Sequence, residues 1–226
     1  MATVLLQARM GSSRLPGKSM ADLGGKPLLL HAIDILRAVP TVSRLVLCTT
    51  TLPGDDVLID LAQRSRIDSF RGSEGDVLDR FYKASLIFPD RIYLRATGDN
   101  PLIDPGGIDR ILPYLESGKW DYVCEQGMPL GSIVEGLTAA CLQRTWSLAE
   151  AAPDREHVTL FCKQSGLFRC FYPDAPSSHY GPNLRLTVDT PEDLERARRL
   201  VERGFGGPRG DFAALVSVLR TGGYER

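Results

Sequence analysis

The stretch Gln7-Ala8-Arg9-Met10-Gly11-Ser12-Ser13-Arg14-Leu15-Pro16-Gly17-Lys18 decides how this chain of 226 residues is read. It follows the apolar run Val4-Leu5-Leu6 and precedes an apolar periodic segment from Pro27 onward. A strand that ends in glycines, paired serines and three fixed cations is built to hold something strongly anionic. A nucleoside triphosphate is the natural guest. Glycine tolerates positive φ and permits close approach, so the N–H groups of Gly11, Ser12 and Ser13 can point at phosphate oxygens. Arg9, Arg14 and Lys18 supply charge, the arginines through planar forks that match phosphate geometry.

Spacing separates this loop from the ATPase phosphate loop. That motif sets four residues between its first glycine and the Gly-Lys pair, whereas five, Ser12 to Pro16, stand between Gly11 and Gly17-Lys18. The alternative is a surface turn whose charges face water. It leaves unexplained why glycines and cations gather directly at the end of a buried-looking strand.

Hydrophobic content of 43% and charged content of 24% are ordinary globular values, which disfavours disorder, coiled coil and membrane classes. No apolar run approaches bilayer-spanning length, and the first residues lack a basic leader with a cleavage site. A net charge of −1 makes the basic loop a local feature, so nucleic-acid binding is not expected. Cys48, Cys124, Cys141, Cys162 and Cys170 form no CxxC pair, which suits reduced thiols in a cytoplasmic protein.

Outward from the loop, strands are expected at Thr3 to Ala8, Arg44 to Thr49, Ile67 to Phe70, Arg91 to Ala96 and Asp121 to Val123. Helices are expected at Pro27 to Leu36, from Asp55 or Asp56 to Arg64, at Gly75 to Phe88 and at Pro105 to Glu116, where Asp104 is the expected cap. This alternation predicts an α/β fold with a mostly parallel central sheet flanked by helices. The second half is less regular. Thr138 to Ala149 and Pro153 to Gln164 read as helices, Leu167 to Tyr172 and Leu184 to Val188 as strands, and Thr190-Pro191-Glu192-Asp193 starts a helix reaching about Arg203. A final helix covers Phe212 to Arg220. One domain is expected over residues 1–226, with an irregular arm at about 125–182 inserted before the last core strand.

Ligands of such sheets lie beyond the carboxyl ends of the strands, where the opening loop and Asp99 both fall. A triphosphate also calls for a divalent cation, and magnesium takes few carboxylates and several waters. Asp99 and Asp189 each follow a strand directly, so both are candidates for one ion. Asp189 has the alternative of a helix N-cap and Asp99 that of a turn residue ahead of Pro101. His31 sits within an amphipathic helix as a structural residue.

The opening run, Gly24-Gly25-Lys26-Pro27 and Thr97-Gly98-Asp99-Asn100-Pro101-Leu102-Ile103-Asp104 together resemble the cytidylyltransferases related to CMP-Kdo and acylneuraminate synthetases. The nearest branch is the spore-coat polysaccharide biosynthesis protein F type, and the resemblance covers nearly the whole chain. It implies a Rossmann-like nucleotidyltransferase fold with a dimerisation and acceptor arm, and a homodimer. It also implies Mg2+ on Asp99 and Asp189, CTP as the donor and a sugar or sugar-acid acceptor, with release of pyrophosphate. Arg14 and Lys18 then act on the phosphates. Gln7, Ala8, Arg9, Met10, Gly11, Ser12, Ser13 and Asp99 complete the nucleotide contacts. Gly72-Ser73-Glu74 and Asp76 to Phe81 match the segment that approaches the nucleoside, which brings in Ser73 and Arg80, although Arg80 has Asp76 as an alternative partner at i, i+4. Glu135, Arg155 and His157 match the acceptor-side segments, with packing across a dimer interface as the other use of Arg155 and His157. Asn100 stands where relatives often carry cysteine or glutamate. Two further possibilities remain open: a nucleotide-binding protein without chemistry, and a sugar-1-phosphate enzyme using another base.

Overall fold

The computed structural model describes residues 1–208 and 210–222. In chain order its elements are β1 (Ala2–Gln7), β2 (Asp22–Leu23), β3 (Lys26–Pro27), α1 (Leu28–Arg37), β4 (Val42–Thr50), α2 (Asp56–Arg64), β5 (Asp68–Gly72), α3 (Val77–Ile87), β6 (Ile92–Thr97) and α4 (Gly106–Glu116). They continue with β7 (Tyr122–Val123), β8 (Glu135–Thr138), α5 (Ala139–Leu148), α6 (Ala152–His157), α7 (Leu160–Gln164), β9 (Cys170–Phe171), α8 (Pro191–Glu202) and α9 (Phe212–Arg220). The main sheet has the order β5-β4-β1-β6-β8-β7-β9. β1, β4, β5 and β6 run parallel, and β8 is antiparallel to both of its neighbours. The fold is the Rossmann-like α/β arrangement with a mostly parallel sheet.

Strand side chains alternate between two faces, so each central strand feeds two cores. Val4 and Leu6 of β1 join Leu47, Leu94 and Ala96 under α1, α2 and α4. Leu5 joins Val46, Tyr93, Tyr122 and Leu137 beneath α3, α5 and α7. Burying each such side chain contributes about 1.5–3 kcal/mol, and burial on both faces explains the near-continuous apolar runs. His31 lies in α1, is buried, and donates from Nε2 to the Leu23 carbonyl at 2.7 Å.

Several expectations need correction. Residues 184–188 do not join the sheet as its last core strand. β6 already has β1 and β8 on its two sides, so no ladder beside it is free. The segment instead runs alongside, with Leu186 N donating to Leu130 O at 2.7 Å and Val188 N to Asp99 O at 2.9 Å. Gly131 permits this approach: its φ is 90°, and a Cβ there would lie 2.4 Å from Thr187 N. The stretch 125–182 is less an arm than expected, since β8 and β9 belong to the main sheet. The helix expected at Pro153 to Gln164 is broken at Val158, whose φ of 57° is strained for a β-branched residue. The break turns the fully buried Val158 into the second core. Only Cys170–Phe171 of the strand expected at Leu167 to Tyr172 is paired. Asp55 precedes α2 without capping it, because its carboxylate is engaged elsewhere.

Behind the 184–188 segment, Leu186 packs with Leu200, Leu215 and Leu219 of α8 and α9, while Val188 packs with Leu23, Leu28 and Leu194. The last two helices thereby hold Asp189 against the carboxyl edge of the sheet.

Candidate active site

The loop after β1 is tied down from below. Asp55, 2% exposed, accepts Met10 N at 2.8 Å together with the Thr49 hydroxyl at 2.8 Å and the Thr50 amide and hydroxyl. Burial works against its charge, but these hydrogen bonds prevail and hold its pKa below the usual carboxylate range. Ser19 Oγ donates to Arg9 O at 3.1 Å, and Gly17 N donates to Met10 O at 3.2 Å. Ser12 N also donates to Met10 O, at 2.9 Å, so this amide is turned into the loop rather than toward a ligand. Among the described residues the amides of Gly11 and Ser13 have no protein acceptor, which suits an anion site.

Lys18 lies at the centre. Its Nζ donates to Asp99 Oδ2, Asp189 Oδ1 and the Val188 carbonyl, each at 3.0 Å. Gly98 makes room for the Asp99 turn, since a Cβ there would meet Leu29 Cδ1 at 2.7 Å and Ala8 Cβ at 2.9 Å. Arg14 Nη2 also reaches Asp189 Oδ1 at 3.0 Å, and Arg185 Nη2 reaches Asp189 Oδ2 at 2.6 Å. Partial burial opposes the charge of Asp189, but Lys18 and the two arginines outweigh it and lower its pKa. Asp189 is not the N-cap of α8. Thr190 and Asp193 form a reciprocal capping box there, which leaves the Asp189 carboxylate to the site. Asp99 is fixed from its other side by the Thr97 hydroxyl at 2.7 Å, and Thr97 in turn accepts from Asn100 Nδ2 at 2.8 Å.

Around this centre, Arg9 Nη1 meets the Glu74 carboxylate at 3.5 Å, which bridges the opening loop to the turn after β5. In that turn Ser73 Oγ accepts Asp76 N at 3.1 Å. Arg80 is fully buried and donates to Ser73 O at 3.0 Å; desolvation lowers its pKa, and Nε has no partner. Asp76 pairs with Arg155 at 2.6 Å and not with Arg80.

The acceptor-side expectations separate from this cluster. Glu135, 6% exposed, sits in β8 and takes hydrogen bonds from Arg95, Tyr122, Thr159 and Lys163. Burial opposes its charge, yet Arg95 and Lys163 bring its pKa down to about 2. Its oxygens are filled by the framework, which corrects the expectation of a substrate contact. Arg155 gives its nitrogens to Asp76 and to the Trp146 and Ala149 carbonyls, so it joins α6 to the start of α3 rather than facing a ligand. His157 is exposed at the end of α6.

Asp55 and Arg185 are the site residues that the motifs did not single out. A Thr49-Thr50 pair at a strand end ahead of an aspartate is the signal for the first; nothing in the sequence marks the second.

The sequence matches the cytidylyltransferase family over residues 3–215. The chain belongs to this family. It is 34% identical to spore coat polysaccharide biosynthesis protein SpsF of Bacillus subtilis over 95% of this chain and 92% of that protein. It is 26% identical to the 3-deoxy-manno-octulosonate cytidylyltransferase of Anaeromyxobacter dehalogenans over 89% and 98% of the two chains. The structure of a cytidylyltransferase from Leptospira borgpetersenii superimposes with a TM-score of 0.89 at 26% identity, covering 98% of this chain and 94% of that one. This cytidylyltransferase-family chain is therefore a nucleotidyltransferase enzyme, with the Lys18 cluster at the carboxyl edge of its sheet.

Asp99 and Asp189 fit a divalent cation. An oxygen of each converges on the single Lys18 Nζ, and magnesium in nucleotide sites takes one or two carboxylates with phosphate oxygens and water.

Proposed function

We propose that the protein transfers CMP from CTP to a hydroxylated sugar or sugar-acid acceptor and releases pyrophosphate, in the supply of a polysaccharide or glycoconjugate precursor. The observation that carries this reading is the meeting of Lys18 with Asp99 and Asp189 beneath the opening loop. The name of the 3-deoxy-manno-octulosonate cytidylyltransferase supports a cytidine nucleotide as donor and a sugar acid as acceptor, and that of the spore coat protein supports a polysaccharide precursor.

Lys18 and Arg14 bind the phosphates. An acceptor oxygen attacks the α-phosphorus in line, its proton passes to solvent or to a nearby carboxylate, and the bond to pyrophosphate breaks. Positioning and charge stabilisation carry the rate, with no covalent relay. Asp99 and Asp189 would hold Mg2+, which supplies charge neutralisation to the phosphate oxygens. The unpaired amides of Gly11 and Ser13 bind the same polyphosphate, and Asp55 keeps their loop in place. Ser73 shapes the nucleoside side, with Arg80 fastening its carbonyl.

A cytoplasmic homodimer is part of the same proposal. Leu86 and Ile87 at the end of α3 and Leu148 at the end of α5 are 61%, 64% and 42% exposed, which supports an apolar contact between copies. Light scattering on the purified protein tests it. No helix among the described residues is long and apolar enough to cross a membrane.

The test of the activity is pyrophosphate release from CTP, GTP, UTP and ATP with Mg2+ and a panel of ulosonic acids and sugar phosphates. Turnover with CTP and a sugar acid is the expected result. Turnover only with another triphosphate and a sugar 1-phosphate overturns the choice of substrates, and nucleotide binding without turnover overturns the enzyme.

A further inference from the structure

We propose that, without nucleotide, the Lys18 ammonium occupies the place of the divalent cation between Asp99 and Asp189, and that nucleotide loading exchanges the two. The inference rests on assigning those carboxylates to the metal. It adds that the protein carries its own substitute cation, so that metal enters with the triphosphate and not before it.

The geometry is that of a filled cation position. An ammonium has three N–H donors, and all three are used, at equal distances of 3.0 Å, on Asp99 Oδ2, Asp189 Oδ1 and Val188 O. The Lys18 side chain is only 14% exposed, so water does not compete freely for these oxygens. A metal ion needs the same carboxylate oxygens at about 2.1 Å, which a resident ammonium excludes. Lysine suits this use because its charge is a compact point on a flexible stem, whereas a guanidinium is a broad planar fork. Of the two carboxylates, the neighbouring guanidinium groups reach only Asp189: Arg185 sits on its outer oxygen Oδ2, and Arg14, itself largely exposed, shares Oδ1 with Lys18, so Lys18 alone bridges the pair.

Lys18 is also placed to leave. It begins the short helical turn Lys18–Met20, directly after Gly17 at φ 72° and four residues from Arg14 on the phosphate loop. A triphosphate bound to that loop offers the ammonium a new anionic partner within reach. Because the ammonium is tethered, its effective concentration at the carboxylates is high, and free metal must compete with it. Once phosphate draws Lys18 away, the two carboxylates would repel each other unless a cation replaced it. Metal and nucleotide therefore favour each other's binding through one side chain, and linkage makes this help reciprocal.

The experiment is a titration of Mn2+ in the absence of any nucleotide, read by the electron paramagnetic resonance of free Mn2+, on wild type, Lys18→Met, Lys18→Gln and Lys18→Met/Asp99→Asn. Circular dichroism checks that each is folded. Wild type should bind weakly, both single variants about tenfold more tightly, a scale usual for coupled sites, and the double variant should lose the gain. Heating provides a second readout: Mn2+ should raise the Tm of the Lys18 variants more than that of wild type. Equal Mn2+ affinity in wild type and a folded Lys18 variant overturns the exchange, and so does a gain that survives Asp99→Asn. Two different uncharged replacements guard against one that fails to fold. Failure of the cytidylyltransferase proposal would appear separately, as absence of pyrophosphate release by wild type, and would not alter a titration that contains no nucleotide.

Discussion

Asp55 accepts the amide of Met10 at 2.8 Å across a separation of 45 residues, and this bond fastens the opening loop to the end of β4. Its carboxylate is buried and otherwise surrounded by donors from Thr49 and Thr50. Asp55→Asn turns an amide N–H2 toward those donors, and the cost should be about 1–3 kcal/mol, read from urea denaturation at pH 7. The pH dependence has a definite sign. The folded pKa lies below the unfolded one, so this stabilisation is complete above the unfolded value near 4 and is lost as pH falls through the folded pKa. Asp55→Asn should therefore lose its deficit in acid; a constant deficit from pH 7 to below pH 3 would remove the charge from the account.

Lys18→Ala should lower kcat/KM by about 10²–10³, the range for removal of one electrostatic stabiliser, with circular dichroism unchanged. Near-normal pyrophosphate release would take Lys18 out of the phosphate site.

Asp99→Asn should raise the Mg2+ concentration for half-maximal rate by about 10- to 100-fold, as large as the effect of losing an outer-shell partner or larger. An unchanged magnesium titration would remove Asp99 from the ligand set.

Glu135→Ala should act on stability rather than on substrate affinity. It leaves Arg95 and Lys163 without their shared carboxylate, a loss of about 3–5 kcal/mol for a broken buried pair. A large fall in Tm is expected. A raised acceptor KM with Tm unchanged would restore the substrate contact expected from the motif.

The thiols should be slow in the folded protein. Burial pushes Cys48 and Cys124 up to about 12, which leaves about one thiolate in ten thousand at pH 8. Cys141 and Cys162 are buried with their sulfurs 3.4 Å apart, and Cys170 is half-buried. A disulfide reagent at pH 8 should meet at most Cys170 quickly in native protein, and all five cysteines after unfolding. Rapid reaction of Cys48 in native protein would contradict the packing beneath α3.

The chain order of strands and helices through α4 was legible because strands buried on both faces leave apolar runs, and helices over them leave a periodic stripe. The loop was legible too, since glycines and fixed cations leave a compositional mark wherever they fold. β8 was not. Its Gly136 and Thr138 weaken the strand pattern, and the charge of Glu135 suggested a ligand where the fold had already supplied four partners, Arg95 and Tyr122 from the sheet and Thr159 and Lys163 from the start of α7 and from α7 itself. Residues 184–188 have the alternation of a strand, but pairing depends on a free neighbour, and β8 had taken it.

By itself the sequence determined the α/β alternation, the gathering of glycines and cations at residues 7–18 and the start of α8 at Thr190-Pro191, because each depends on neighbours within a few positions. Only the tertiary structure decided that Lys18 stands between Asp99 and Asp189, 81 and 171 positions away, and that Arg185 steadies Asp189 while Arg155 holds Asp76. Those pairings follow from which strands are adjacent and which edge is free, and adjacency in a sheet is a property of the whole packed chain.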